Sequence, residues 1–530
     1  MAHSKRQMDS AAGFADNHYP SFYGSDFSNS PFIWTGGVNF THAVASGDPF
    51  DTSVLLWTRA VPTSPSGTTS LPDQSVPACI AYQVFSNEEL SGDPVTSGEA
   101  FTSYDVDWTV KVEAEELEPD TKYFYQFSDC ANPSSVSPVG TTRTLASPDT
   151  PAEGVNGGNP LTLAVFSCSQ YQAGYFNAYG VAAHNTSADV FVHLDIRDSG
   201  QWRKYWTPDL RTGAGDNQGL PPTPESISYR RESRIRPSAR PMDYCLDDHE
   251  IANNGWKAGT SNSNDSAAGC TFSPSGACFT DRKLAAIRAY HEWMPIRQVA
   301  VDDQLRIWRN FQIGKLLDLT MLDTRFQDTL SESKARGAVW RVVGQQVVFS
   351  QLNRSNEFNL DQWDGYLANR MRILDHLYDN DISNTVILAG DSHANWVSDL
   401  AHPNDSTTYD PITGEGAIGV EFAGTAVTSG SSFGSQISPA AADVISAGLV
   451  DSDANLNLQW SEGSYRGFFT LTIDQQTLNA TYYAIRNVSF PNLDAFISAE
   501  FVVEAGANKL ARPVAGGVVN AGALKVNETS

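Results

Sequence analysis

No apolar run in the sequence approaches the roughly 18 consecutive residues that a membrane-spanning helix requires, so no such span is expected. Basic residues are scarce as well. Lys and Arg total 35 against 61 Asp and Glu in 530 residues, a formal net charge of −26. Binding a nucleic-acid duplex needs clustered cations to neutralise phosphates, and this balance excludes that class. The same surplus repels a small anionic substrate unless a local positive charge overrides it. Internal repeats are absent. Met1–Ser10 lacks the apolar core of a signal peptide, so such a peptide is expected to be absent, removed or replaced. What is present points to a folded protein: 41% of residues are hydrophobic and 11% aromatic, and the length fits two or three domains.

Cysteines number only six. Cys270 and Cys278 close a short Gly/Ser-rich loop, and Cys79 and Cys130 lie in one strand-rich region. Both pairs are candidate disulfides, which leaves Cys168 and Cys245 without an obvious partner. Eight Asn-x-Ser/Thr sequons occur, at Asn39, Asn185, Asn264, Asn353, Asn404, Asn479, Asn487 and Asn527. With the acidic, Ser/Thr-rich loops they lead to the expectation of a secreted, extracellular glycoprotein.

Residues 1–37 read as a loosely ordered N-terminal arm. From 38 to 145 short β-branched and aromatic runs such as Ser53–Arg59, Ile80–Phe85 and Lys122–Phe127 alternate with turn clusters, the pattern of a fibronectin/Ig-like β-sandwich. Residues 146–160 are a Pro/Gly-rich linker. Between 161 and 504 the continuous apolar runs Leu161–Phe166, Val190–Leu194 and Asn384–Ala389 read as buried strands, interleaved with helical patterns at Asp281–Trp293 and Leu360–Tyr378. This predicts an α/β layered domain preceded by a small all-β sandwich domain. Residues 505–530 read as a frayed C-terminal tail.

Polar residues gather where the buried strands end: Ser167-Cys168-Ser169-Gln170, then Asp195 with Arg197 and Asp198, and finally Gly390-Asp391-Ser392-His393. A fourth block, Asp247-Asp248-His249-Glu250, lies between them. Ligands of open α/β sheets bind at the carboxyl ends of strands, so these loops are expected to converge. Carboxylates, imidazoles and one thiolate form a ligand set for hard or borderline metals. Two neighbouring cations would bind a phosphate, acidify a water and absorb charge on a leaving oxygen.

The same residues carry a family resemblance. Val44–Pro49 with Leu55–Arg59 resembles the start of the N-terminal domain of the alkaline phosphatase D (PhoD-like) metallophosphatases. Ser167-Cys168, Asp247–Asn254, Tyr290–Arg297, Leu322–Arg325, Trp340–Ser350, Asp361–Tyr366 and Gly390–Trp396 resemble its catalytic blocks, in the same order. The resemblance implies mixed β-sheets flanked by helices and a hydrolase of phosphate mono- and diesters. It implies Fe3+ and Ca2+ as cofactors, and attack of a metal-bound hydroxide on phosphorus without a serine nucleophile. By this match Cys168 is an iron ligand and Asp195 bridges the metals, with Asp248, Asp391 and His393 completing the shell. Asp247 is a ligand or its supporting partner, and His249 contacts phosphate or assists the leaving group. Arg325 either forms a bidentate contact with phosphate or pairs with Asp323.

One block departs from the family pattern His-Leu-Gly-Asp-Tyr-Ile-Tyr-Glu. Here it reads His193-Leu194-Asp195-Ile196-Arg197-Asp198, with neither glycine nor tyrosine. The missing phenolate opens the site to Zn2+ or another divalent metal, or to an impaired pseudo-enzyme serving as a binding glycoprotein. A phospholipase-like diesterase is a further alternative. The expected partner is a small phosphate ester, and the expected state a monomer. His193 reads as a satisfied strand-end residue, His291 as structural, and Trp363 and Tyr366 as packing a helix against the sheet.

Overall fold

The structure, a computed structural model, describes residues 33–63, 76–194, 241–244, 259–260, 264–272, 277–297, 308–322, 326–354, 357–402 and 407–525. They fall into two compact units. In the first, β1 (Val38–Gly47), β2 (Val54–Pro62) and β5 (Thr109–Ala114) form one sheet. In the other, β4 (Thr96–Thr102), β3 (Ala78–Phe85), β6 (Lys122–Asp129) and β7 (Gly140–Arg143) pair in that order. Alternation along β6 points Tyr123, Tyr125 and Phe127 into a core shared with Val54, Leu56, Ile80 and Trp108. The Cys79–Cys130 disulfide ties β3 to the residue after β6, and Cys270–Cys278 closes its short loop.

Asp281–Gln298 also belongs to this first unit. Lys111 Nζ donates to the carbonyls of His291, Met294 and Ile296, and the Arg297 guanidinium donates to Glu113 Oε1 at 2.8 Å. These are polar contacts across about 180 residues of sequence, with |i−j| of 180 to 185, and no local pattern announces them.

The second unit contains β8 (Leu161–Phe166), β9 (Val190–His193), part of β10 (Pro241–Tyr244), β11 (Arg309–Ile313), β12 (Leu317–Met321) and β13 (Trp340–Gln345). A small hairpin, β14 (Asn353–Arg354) with β15 (Glu357–Phe358), follows. Then come β16 (Thr385–Ala389), β17 (Asn395–Ala401), β18 (Ala417–Ala423), β19 (Leu458–Glu462), β20 (Arg466–Ile473), β21 (Thr477–Ile485), β22 (Ala495–Glu504) and β23 (Ala523–Leu524). One mixed sheet runs β22-β21-β20-β8-β9, the other β11-β12-β13-β16-β18-β17-β19-β23. The two face each other across Phe422, Trp460, Phe469, Tyr482 and Phe501, whose ring centroids lie 4.9 to 6.5 Å apart. Helices Phe326–Arg336 and Leu367–Asp379 cover the outer face of the second sheet, contributing Leu330, Ile373, Leu374 and Leu377. Strands buried on both faces read as unbroken apolar runs, which is why Leu161–Phe166 and Thr385–Ala389 are buried at every residue.

Two expectations change. Trp363 is half-buried against Phe349 and donates to Gln345 Oε1 at 2.9 Å, whereas Tyr366 is 52% exposed and packs nothing against the sheet. The C-terminal segment does not fray up to residue 525. β23 pairs with β19, and Arg512 Nη2 lies 2.5 Å from Asp399 Oδ2. Asp399 is fully buried and also accepts from Leu510 N–H and Tyr409 Oη. Burial pushes its carboxyl above the usual range, and Arg512 opposes that shift. A buried carboxylate needs a cation, and the tail supplies it. Arg512→Leu should therefore cost about 3–5 kcal/mol, because it strands that charge. Denaturant unfolding would show it, with the Asp399→Asn/Arg512→Leu pair losing less than Arg512→Leu alone.

Candidate metal centre

Two strand ends, one from each facing sheet, meet in the second unit. β8 is followed by Ser167-Cys168, and β16 by Gly390-Asp391-Ser392-His393. Ser167 Oγ accepts from Asp391 N–H at 3.1 Å and lies 3.0 Å from Cys168 Sγ. Glycine at 390 permits the approach. A Cβ there would lie 2.7 Å from Ser167 Oγ, 2.9 Å from Gln346 O beyond β13, and 3.2 Å from Leu194 Cβ beyond β9. The thiol of Cys168, the carboxylate of Asp391 and the imidazole of His393 consequently each place a ligand atom within 4.8 Å of the others.

All three residues adopt left-handed backbone, with φ of +55° at Cys168, +47° at Asp391 and +51° at His393. For residues other than glycine this costs about 1 kcal/mol or more each, and it persists only where the surroundings over-determine it. Those surroundings are the loop 424–430 after β18. Val427 N–H donates to Ser167 O at 2.8 Å, and Ser429 Oγ donates to Cys168 O at 3.1 Å. Gly430 O accepts from His393 Nδ1 at 2.7 Å. A carbonyl only accepts, so His393 Nδ1 is the donor in that bond. Beneath the loop, Arg466 Nη1 donates to His393 O at 3.1 Å and to Ser429 O at 2.7 Å. Burial lowers its guanidinium to about 10, while Glu462 and Cys168 act in the opposite direction.

A cysteine sulfur, a carboxylate and an imidazole at one point form a donor set for a borderline transition metal, so these residues fit such an ion. Asp195, Asp247, Asp248, His249 and Arg325 lie outside the described residues. His193 is a satisfied strand-end residue, as expected: its Nε2 contacts Tyr179 Oη, and its ring stacks on Phe166. Sequence reasoning missed Ser429, Gly430 and Arg466. One signal was available for the first two. The run Gly424-Thr-Ala-Val-Thr-Ser-Gly430 follows an apolar strand just as the other site loops do.

The family model for PhoD-like phosphatase matches residues 234–328 and 325–482, and that for the PhoD-like phosphatase N-terminal domain matches 29–146. The chain belongs to the PhoD-like phosphatase family. It is 28% identical over 518 residues to alkaline phosphatase D of Bacillus subtilis (strain 168), covering 88% of this chain and 81% of the relative. Its structure is similar to that described as the structure of PhoD, with a TM-score of 0.69 and 27% identity over 91% of this chain and 93% of the other. The chain is thus a phosphoric ester hydrolase of a family that uses divalent metal cofactors. In this PhoD-like phosphatase, Gly390→Ala should overpack the junction and cost about 1–3 kcal/mol. A lowered melting temperature together with reduced metal content by elemental analysis would confirm that the close approach holds the centre.

Proposed function

We propose that this enzyme hydrolyses phosphate monoesters and diesters at the Cys168–Asp391–His393 centre. The convergence of those three ligand atoms within 4.8 Å carries the reading. Cys168, Asp391 and His393 would hold metal, Ser167 Oγ and Gly430 O fix the orientation of their neighbours, and Asp195, Asp247 and Asp248 are proposed to complete the shell. When bound, the cations would supply Lewis acidity toward phosphoryl oxygens and lower the pKa of a water. Iron with calcium is the set the resemblance favours, with zinc or another divalent ion as the variant suited to a block without tyrosine. His249 would contact the phosphate or deliver a proton to the leaving oxygen, and Arg325 would bind two phosphoryl oxygens.

Two features support secretion as a glycoprotein. Both sequence-predicted disulfides form, as suits an oxidising compartment, and Asn39, Asn185, Asn264 and Asn487 are exposed. No helix among the described residues is long and apolar enough to cross a membrane.

The test pairs elemental analysis of the purified protein with turnover of p-nitrophenyl phosphate and its bis-ester. Asp391→Asn should lower kcat/KM by about 100-fold or more, in line with losing a metal-centre group, and should lower bound metal in parallel. A folded Asp391→Asn protein that keeps both would reject the assignment.

A further inference from the structure

Arg466 is a side chain outside the metal cluster that touches the backbone of both loops around it. It starts β20, is 7% exposed, and reaches the site through one nitrogen, Nη1, which bridges His393 O and Ser429 O. Ser429 Oγ in turn holds Cys168 O, and the adjacent Gly430 O holds His393 Nδ1. Two ligands from strands of different sheets are therefore connected to one guanidinium by at most two hydrogen bonds each. The electrostatics agree with the geometry. Cys168, which is buried, and Asp391, which is half-buried, place a thiol and a carboxyl within 4.8 Å of each other, so negative charge on one disfavours it on the other. The Arg466 guanidinium lies near enough to Cys168 for the two to attract when the thiol is ionised. Glu462 is the carboxylate nearest Arg466 in sequence, and it is already engaged. It accepts from Ser464 N–H, Ser464 Oγ and Tyr465 N–H through Oε1, and from Asn395 Nδ2 through Oε2.

We infer that Arg466 is a positioning residue for the metal centre: its guanidinium locks the loop 428–430 to the His393 backbone and preorganises Cys168 and His393 for the cation. It touches neither substrate nor metal and acts through the ligands it holds. This rests on the assignment of the cluster as a metal site, and not on phosphoester turnover.

The decisive comparison uses the full chain stripped of metal with a chelator and then titrated with Co2+ alone. Three quantities are read: the affinity, the thiolate-to-cobalt charge-transfer absorption, and the rise in melting temperature on binding. Partners that orient metal ligands typically govern about 10- to 100-fold in affinity. Arg466→Met should lose affinity in that range, with a weakened charge-transfer band and a smaller metal-induced rise in melting temperature. Arg466→Lys keeps the charge, but its shorter side chain carries the ammonium on a different stem and does not place a donor where Nη1 sits, so it should fall between wild type and Arg466→Met. Ser429→Ala, which removes only the tether to Cys168, should weaken the charge-transfer band while leaving the metal-free melting temperature nearly unchanged. If Arg466→Met does not fold, Arg466→Lys and Ser429→Ala decide the matter by the same readouts. Folded variants that bind Co2+ with wild-type affinity and spectrum, whatever their metal-free stability, would overturn the inference. A wild-type protein inert toward phosphate esters but still dependent on Arg466 for Co2+ binding would reject the proposed activity and leave this role standing.

Discussion

The close approach of Ser167 and Gly390 is the constraint on which the rest of the site depends. One hydroxyl accepts from Asp391 N–H and contacts Cys168 Sγ, joining the ends of two strands that lie in different sheets. No side chain fits at position 390 without pushing against Ser167, Gln346 or Leu194. Packing of the two sheets around Phe422, Trp460, Phe469 and Tyr482 sets that distance, because a close-packed interior does not let one layer slide to relieve a clash. The aromatic core therefore sets the spacing of the two strand ends, and its Phe469 ring lies against Gly424 at the start of the loop 424–430.

Strain and charge are concentrated at the same point. Cys168, Asp391 and His393 all have left-handed backbone, and the loop 424–430 with Arg466 supplies hydrogen bonds that hold Cys168 and His393 there. A chain of net charge −26 can process an anionic substrate only if positive charge is placed locally. Divalent cations held by acidic side chains would serve that purpose, and beyond about 8 Å the remaining surface charge is screened at physiological salt.

Much of this was legible in the sequence where the signal is local. Runs such as Leu161–Phe166 and Thr385–Ala389 announce buried strands because both faces are covered, and the polar loops that follow them come together as the sequence led one to expect. Tyr366 was misread because a residue in an aromatic block at a helix start carries no information about which way the helix turns it. The tail was misread because Ala/Gly/Val composition says nothing about Asp399, more than a hundred residues earlier, whose buried charge calls for Arg512.

The sequence by itself determined the family, the identity of Cys168, Asp391 and His393 as ligand candidates, the two disulfide pairs and the order of sandwich and α/β regions. Each of these depends on residue type and on spacing within short windows. Tertiary structure alone decided that Asp281–Gln298 joins the first unit, that the C-terminal strand closes the second sheet, and that Arg466 and Ser429 hydrogen-bond the backbone carbonyls of His393 and Cys168. Those contacts link positions 62 to 261 residues apart, from Ser461 to Ala523 and from Ser429 to Cys168. Periodicity and local motif cannot encode such pairings, because which buried polar group meets which is settled only when the sheets pack.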